Sequence, residues 1–402
     1  MVLVLRGVSR SAMVSSKKIF YYVTQERVSL YAVFTCNGLG SASWAARMVS
    51  VKDGLSLSSS DLGWIIMCAG AGALLSLPWL SFFIKKLDTR GVVRSGVVLG
   101  GLGLAGLAWS AVGGDIIIAV VSLLAVGSGF GLWDGAMNVQ ASRYGAHVEG
   151  STMSSFHAAY SIGAILGAIV ASFTMRVGMD IIMHFSIIII ICLSISITST
   201  FRFSRDDIAL GDSDGYPADP LATPVRKSNV ILLAALGVMT ATAAVGEGVG
   251  NDWLTLAFKE GRDWAGWISA LGYGVFLTGM LLGRLCGDSL INRWGRVGVL
   301  RRTFLIAAVG VLLFSFTPVA WAAVIGAALW GFGISVGFPA GMSAAGERGA
   351  GAVSVVSSLA YVAFFMTPPI VGILASKIGI LSSFSLVIIL MLLGLALAPS
   401  AR

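Results

Sequence analysis

The chain has 402 residues, a formal net charge of +8 and a mean hydropathy of +0.89. Hydrophobic residues make up 56% of it and Asp, Glu, Lys and Arg only 11%, against about 25% charged residues in an average soluble protein. Because so few charges cannot coat several soluble domains, the composition excludes a soluble enzyme, a disordered chain and a disulfide scaffold. It predicts an all-α polytopic membrane protein.

The chain opens with a basic segment, residues 1–27, that carries five Lys and Arg residues and no signal-peptide cleavage site. We interpret it as a cytoplasmic N-terminal tail. About 20 apolar residues are needed to cross a bilayer as a helix, and twelve such stretches follow. They lie near 28–46, 62–84, 91–112, 116–140, 152–174, 181–201, 229–251, 265–287, 299–316, 320–344, 353–375 and 380–398.

The long polar stretch 202–228 separates the sixth and seventh predicted spans. It holds five aspartates and three prolines, a composition that cannot bury apolar area, so we expect a flexible cytoplasmic linker. The expected domains are a six-helix bundle over 28–201 and a second over 229–402. With both termini in the cytoplasm, 21 of the 27 basic residues fall on the cytoplasmic side, which favours that orientation.

Short internal matches support the division into two halves. Asn37 to Gly40, followed by Trp44, matches Glu247 to Gly250, followed by Trp253, at an offset of about 210 residues. Ala171 and Ser172 match Ala375 and Ser376 at an offset of about 204. Parallel six-helix repeats around an axis normal to the membrane are typical of one large class of transporters.

One motif resembles a signature of the major facilitator superfamily. Its residues are Gly283, Arg284, Gly287, Asp288, Arg293, Gly295 and Arg296. The resemblance implies a gating loop near the cytoplasmic face, in which the aspartate and the basic residues latch neighbouring helices. The corresponding stretch of the first half, residues 81–91, is basic but lacks the leading glycine and the aspartate spacing.

Four further stretches resemble the YbjJ/MosC-type branch of that superfamily, which is similar to fucose-type sugar:proton symporters. They are Asn37 to Arg47, Asp134 to Gln140, Ser154 to His157, and Tyr361 with Pro368-Pro369. The resemblance implies two six-helix pseudo-repeats in a bacterial inner membrane. It also implies secondary active, proton-coupled transport of a small polar solute such as a sugar or cyclitol, by alternating access. We expect the chain to function as a monomer.

Ionisable residues inside predicted spans are candidates for the substrate and proton pathway, because a charge at the centre of a membrane helix usually faces a cavity or a partner. Asp134 and Asn138 share one helical face. They form either a proton-binding carboxylate with a substrate-orienting amide, or a helix latch in which Asp134 pairs with Arg143. His157 is either a proton relay or a packing residue.

The seventh predicted span offers a second candidate group. Glu247 and Asn251 share a face. Glu247 binds substrate hydroxyls, a cationic substrate or a proton, or else it forms an ion pair with Arg47 at the outer end of the first span. We interpret Asp252 and Trp253 as a helix end with an interfacial aromatic anchor.

The remaining candidates are polar and aromatic residues of other spans. Asn37 and Trp44 are placed on the pathway in the first span. Trp133 and Trp330 either stack on a sugar ring or face lipid.

Several classes of function lack their sequence signals. The sequence has no Walker loop and no His/Cys cluster with metal-ligand spacing, so we expect no enzyme activity, no cofactor and no metal site. The sequence has no basic patch interleaved with aromatic residues, so we expect no nucleic-acid partner. A drug or metabolite efflux transporter, and a non-transporting receptor or assembly factor, stay open as alternatives.

Overall fold

The structure, a computed structural model, describes residues 10–146, 153–204 and 230–402, with side chains from residue 24 onward. In the first half the helices are α1 (Arg10–Gly54), α2 (Ser59–Ser76), α3 (Leu80–Gly113), α4 (Ile116–Ala146), α5 (Met153–Arg176) and α6 (Ile181–Thr200). In the second half they are α7 (Val230–Leu256), α8 (Gly266–Phe316), α9 (Ala320–Ile334), α10 (Gly337–Gly346), α11 (Ala350–Ile378), α12 (Ile380–Ser383) and α13 (Ser385–Leu397).

These helices make twelve crossings within the described residues. Nine stretches are long and apolar enough to cross a membrane, and two of them, Ser59–Gly113 and Gly266–Phe316, each contain two crossings. The more polar α1 supplies the twelfth. The predicted all-α fold of two six-helix pseudo-repeats is therefore confirmed. The predicted linker 202–228 lies outside the described residues apart from 202–204, and the backbone of α1 is already helical from Arg10.

Two related kinks reverse the chain within α3 and α8. Asp88 has φ 60° and ψ 165°, and Gly295 has φ 70° and ψ 158°, a backbone region that is essentially restricted to glycine. Asp88 is held there because its Oδ1 accepts a hydrogen bond from the Thr89 amide at 2.6 Å. Beside the second kink, Arg296 pairs with exposed Glu347 and lowers the pKa of that carboxyl by hydrogen bonding.

The kink at Gly295 corrects the prediction of a gating loop. Gly283, Arg284, Gly287, Asp288 and Arg293 lie within the helical part of α8, and the chain turns only at Gly295. Gly287 is buried, whereas Asp288 is exposed and makes no hydrogen bond or ion pair with the described part of the chain. A helix can contain most of this motif because a single residue at positive φ, Gly295, is sufficient to reverse the chain.

The two halves meet along two helix pairs, α2 with α11 and α5 with α8. We call the end of the bundle where the described chain stops at Ser204 and resumes at Val230 the linker end, and the opposite end the far end. At the far end, the two pairs approach closely. A Cβ added to Gly63 of α2 would lie 2.5 Å from the carbonyl oxygen of Pro368 in α11, so glycine permits that contact.

Reciprocal ion pairs join the halves at the far end. Lys52 Nζ lies 2.5 Å from Glu260 Oε1, and Lys259 Nζ lies 2.5 Å from Asp53 Oδ2. Each half thus supplies a lysine followed by an acidic residue, at an offset of 207 residues (52 to 259 and 53 to 260). Because each lysine binds the other half's carboxylate, the two pairs are related by the pseudo-two-fold symmetry of the repeats.

Two serines complete this contact, which we call the far-end gate. The hydroxyl of Ser172 donates to the carbonyl of Trp267, and the amide of Ser60 donates to the hydroxyl of Ser376. Ser172 and Ser376 are the pair matched in the sequence repeat. Nearer the linker end than Ser161, no hydrogen bond or ion pair joins the halves among the described residues. The bonds between the halves therefore lie at the far end and at Ser161, whereas Asp134 and His157, nearer the linker end, are exposed, so the described residues leave an opening on that side.

We predict that reversing one charge of the far-end gate opens it. Lys52→Glu places two carboxylates side by side, and it should lower several-fold the rate at which a short thiol cross-linker joins Ser60→Cys to Ser376→Cys in a cysteine-free background. Adding Glu260→Lys restores an attractive pair and should restore the rate. Exposed pairs contribute about 0.2–1 kcal/mol each. A swapped variant that cross-links as slowly as the single variant would contradict the pairing.

Candidate functional site

A polar cavity of about 170 Å³ lies between the two halves. It is bounded by one helix face each from α1, α5, α7 and α8. Its lining residues are Ser41, Ala42, Trp44, Ala45, Tyr160, Ser161, Ala164, Glu247, Asn251, Asp252, Tyr273, Leu277, Met280 and Arg284.

An ion pair lies at the centre of this cavity. Arg284 Nη2 donates to Glu247 Oε1 at 2.9 Å, and both side chains are about three-quarters buried. Arg284 Nη1 also donates to Ser161 Oγ of the first half at 3.3 Å. Arg284, which the sequence placed in a gating loop, is thus the cation that compensates Glu247 and links the halves at the level of the cavity.

The sequence around Glu247 explains why this side chain enters the cavity. Gly246, Gly248 and Gly250 alternate with larger residues on α7, and a Cβ added to any of them would lie 2.8 Å or less from a neighbouring side chain. Helices on three sides therefore pack directly against the α7 backbone. Trp330 adds a hydrogen bond from its Nε1 to the Gly246 carbonyl at 3.1 Å.

Arg47 is not the partner of Glu247, which corrects one alternative from the sequence. It is buried in the first half, where it donates to Thr174 Oγ1 at 3.0 Å and to the Met179 carbonyl at 2.9 Å. Thr174 also contacts His184 Nδ1 at 2.9 Å. This polar cluster connects α1, α5 and the start of α6, and none of these residues lines the cavity.

The rest of the cavity wall is neutral, with one exception, and it mixes polar groups with apolar side chains. Tyr273 donates from its hydroxyl to Asn251 Oδ1 at 3.2 Å, and Trp44 and Tyr160 add aromatic surface. The exception is Asp252, which sequence reasoning took for a helix end. It lies inside α7 and lines the cavity, whereas Trp253 is completely buried. The repeat offset of 207 residues contains a signal for the position of Asp252. At this offset Trp44 corresponds to Asn251 rather than to Trp253, so Asp252 corresponds to Ala45, the residue after Trp44.

Asp134, Asn138 and His157 lie nearer the linker end than the cavity. Asp134 and His157 are exposed between the halves, and Asp134 is in electrostatic range of Tyr160 and Tyr361. Asn138 donates from Nδ2 to the Asp134 backbone carbonyl at 2.9 Å. The structure therefore places Asp134 on the wall of the opening, facing the second half, and leaves Arg143 3.9 Å from Asp88 instead.

Three other predicted residues lie away from the cavity. Asn37 is buried within the first half, with Nδ2 unpaired among the described residues. Trp133 is buried and stacks on Phe130 at 5.6 Å, and Trp330 is completely buried in the second half. Of the tryptophans considered for sugar stacking, Trp44 lines the cavity.

An apolar groove of about 260 Å³ adjoins the cavity and shares Glu247 with it. It is lined by α2, α7, α10 and α11, including the aromatic residues Phe338, Tyr361, Phe364 and Phe365. Because Ala244, one turn before Glu247, lines the groove and Asn251, one turn after it, lines the cavity, the groove lies on the linker-end side.

We predict that Glu247 and Arg284 depend on each other for stability. Either Glu247→Gln or Arg284→Gln leaves one largely buried charge without a partner and should lower the melting temperature of the purified protein. The double variant removes both charges and should melt above the less stable single variant, with a coupling of about 0.5–3 kcal/mol. Additive losses in melting temperature would show that the pair does not interact.

Comparison with known proteins agrees with this architecture. A family model of the Major Facilitator Superfamily matches residues 28–349. The chain is 26% identical to an uncharacterized MFS-type transporter of Yersinia pestis, covering 94% of this chain and 95% of that protein. It is 24% identical to the membrane protein MosC of Rhizobium meliloti, covering 86% and 83%. The solved structure of a D-xylose-proton symporter superposes with a TM-score of 0.74 at 15% identity, covering 94% and 97%. The chain is a multi-pass membrane transport protein, not an enzyme, and it belongs to the Major Facilitator Superfamily.

Proposed function

We propose that this transporter moves a small polar solute, a sugar or a cyclitol, in symport with protons by alternating access. The polar cavity between the halves supports this proposal, since it is closed at one end by the far-end gate and open toward the other. Such a state is one of the two that alternating access requires. The transporter works as a monomer in a bacterial inner membrane.

The size and chemistry of the cavity favour a small polyhydroxylated solute. Its volume of about 170 Å³ is below the roughly 300–1,000 Å³ of sites for drug-sized ligands. Asn251, Glu247 and Ser41 offer hydrogen-bonding groups for hydroxyls, and Trp44 offers an apolar face on which a ring packs. The D-xylose-proton symporter, a structural neighbour, supports the same solute class.

The distribution of basic residues orients the transporter with the linker end in the cytoplasm. A reporter that is active only in the cytoplasm, fused within residues 210–220, should therefore be active, and one fused within 259–263 should be silent. Expression of each fusion is checked on immunoblots. The opposite pattern of activity would place the far-end gate in the cytoplasm and overturn the orientation.

Asp134 is the proposed proton site on the linker-end side. Its exposed carboxylate faces the opening between the halves and lies in electrostatic range of Tyr160, which lines the cavity. Proton binding removes a charge that resists burial when the halves close around the solute. His157, on the same side, is in electrostatic range of Arg284 and is the second candidate for this relay.

Uptake into proteoliposomes tests the function and the role of Asp134 together. With an imposed proton gradient, the parent protein should accumulate D-xylose or myo-inositol, and a protonophore should abolish accumulation. Asp134→Asn mimics the protonated carboxyl, so it should exchange solute between equal pools yet accumulate at least tenfold less. If Asp134→Asn accumulates solute as well as the parent does, Asp134 has no role in proton coupling. If the parent protein neither binds nor exchanges sugars or cyclitols, the proposed function is wrong.

The apolar groove favours a second candidate function, efflux of an amphipathic metabolite or drug. Four aromatic side chains beside Glu247 suit an apolar ring. A thermal-shift screen of sugars, cyclitols, nucleosides and cationic drugs separates the two candidates, because a ligand that binds the folded state stabilises it in proportion to occupancy. Stabilisation by cationic drugs alone would favour efflux.

A further inference from the structure

Asp252 is the charged group of the cavity that the mechanism above does not use. It lies within α7, is half-buried and lines the cavity beside Asn251. Among the described residues it has neither a hydrogen-bond partner nor an ion-pair partner. An ionised carboxylate in such surroundings is costly unless a cation, a hydrogen-bond donor or water compensates it.

The other charges of the cavity do not compensate Asp252. Glu247 already neutralises Arg284 at 2.9 Å, and the rest of the lining is neutral. With Asp252 ionised, the cavity therefore carries one excess negative charge. The titratable group that faces it from a packed helix is Tyr273 of α8, which is in electrostatic range of both Asp252 and Glu247.

The position of Asp252 along α7 connects it to the far-end gate. It lies five residues beyond Glu247, about 7.5 Å along the helix axis, on the far-end side of the ion pair. Lys259 and Glu260 of the gate follow two turns later, in the π-helical turn Ala257–Gly261. Such π turns are frequent at functional sites. Opening of the gate therefore brings water toward Asp252 before it reaches Glu247.

Two tyrosines interact electrostatically with the carboxylates Asp134 and Asp252. Tyr160 is in electrostatic range of Asp134, and Tyr273 is in range of Tyr160 and of Asp252. Asp134 lies toward the linker end and Asp252 toward the far end, with the Glu247–Arg284 pair between them. In the sequence repeat, Asp252 of the second half corresponds to Ala45 of the first. A carboxylate is therefore present at this position in the second half but not in the first.

We propose that Asp252 is the far-side proton site of the transporter, an inference that rests on the proposed proton coupling. When the far-end gate opens, a carboxylate oxygen of Asp252 takes a proton from hydronium and leaves water. The neutral carboxyl then permits the gate to close over the cavity. Asp134 exchanges protons with the linker-end compartment, so the two carboxylates serve opposite sides of the membrane.

Infrared difference spectroscopy tests proton binding without any knowledge of the solute. Purified parent protein, titrated through neutral pH, should show the carbonyl band of a protonated carboxyl that disappears in Asp252→Asn and persists, shifted, in Asp252→Glu. Asp134→Asn is the matched control and should keep the Asp252 band. Identical spectra for the parent and Asp252→Asn would overturn the proposal; if the Asn variant does not fold, an unshifted band in Asp252→Glu would do the same.

Exchange of D-xylose or myo-inositol in proteoliposomes of defined orientation tests the side that Asp252 serves. The pH of each compartment is varied separately. Asp252→Asn should lose the dependence of exchange on far-side pH and keep the dependence on linker-side pH, and Asp134→Asn should show the reverse. Retained far-side dependence in Asp252→Asn would overturn the assignment. If the parent protein exchanges neither probe, the solute class proposed above fails, whereas the infrared result still decides whether Asp252 binds a proton.

Discussion

A charge inside a membrane protein has to be paired, hydrated or neutralised, and the interior of this transporter is arranged around that constraint. Glu247 and Arg284 satisfy it by pairing at the cavity centre, with Ser161 as a further partner across the halves. Glycines on either side of Glu247 let neighbouring helices enclose the pair. Arg47 is held separately, where its Nη2 donates to Thr174 and to a backbone carbonyl. The central cavity thus contains one compensated ion pair, and Asp252 is the charged group of its lining that has no partner among the described residues.

The two halves share a backbone plan but differ in chemistry. One offset relates the kinks at Asp88 and Gly295 and the lysine–acid pairs of the far-end gate. At the same offset Trp44 of the first half corresponds to Asn251 of the second, and both line the cavity. An aromatic side chain in one repeat is therefore an amide in the other. The kinks and the far-end gate are therefore symmetric between the halves, whereas the residues that line the cavity are not.

The sequence predicts the fold well because length and hydropathy alone determine where helices cross a bilayer. It also identifies Glu247, Asn251 and Trp44 as cavity residues. It fails where a contact depends on helix rotation and tertiary packing. Arg284 belongs to a loop motif by pattern yet lies within a helix. The sequence around Asp252 fits a helix end as well as it fits a residue that lines a cavity. Buried Asn37 and Trp330 show that a polar or aromatic residue in a span does not reveal by itself which way it faces.

The reciprocal pairing at the far-end gate bears on the ancestry of the chain. A two-fold interface is isologous, so the same patch on two identical subunits is complementary to itself. A single six-helix unit carrying a lysine followed by an acid at this position satisfies both ion pairs against a second copy of itself. Duplication and fusion of such a unit would place one lysine–acid pair in each half of a single chain, which is the arrangement of Lys52-Asp53 and Lys259-Glu260. In one chain each charge has a fixed partner in the other half, so the two patches need no longer be identical, and Asp53 and Glu260 already differ.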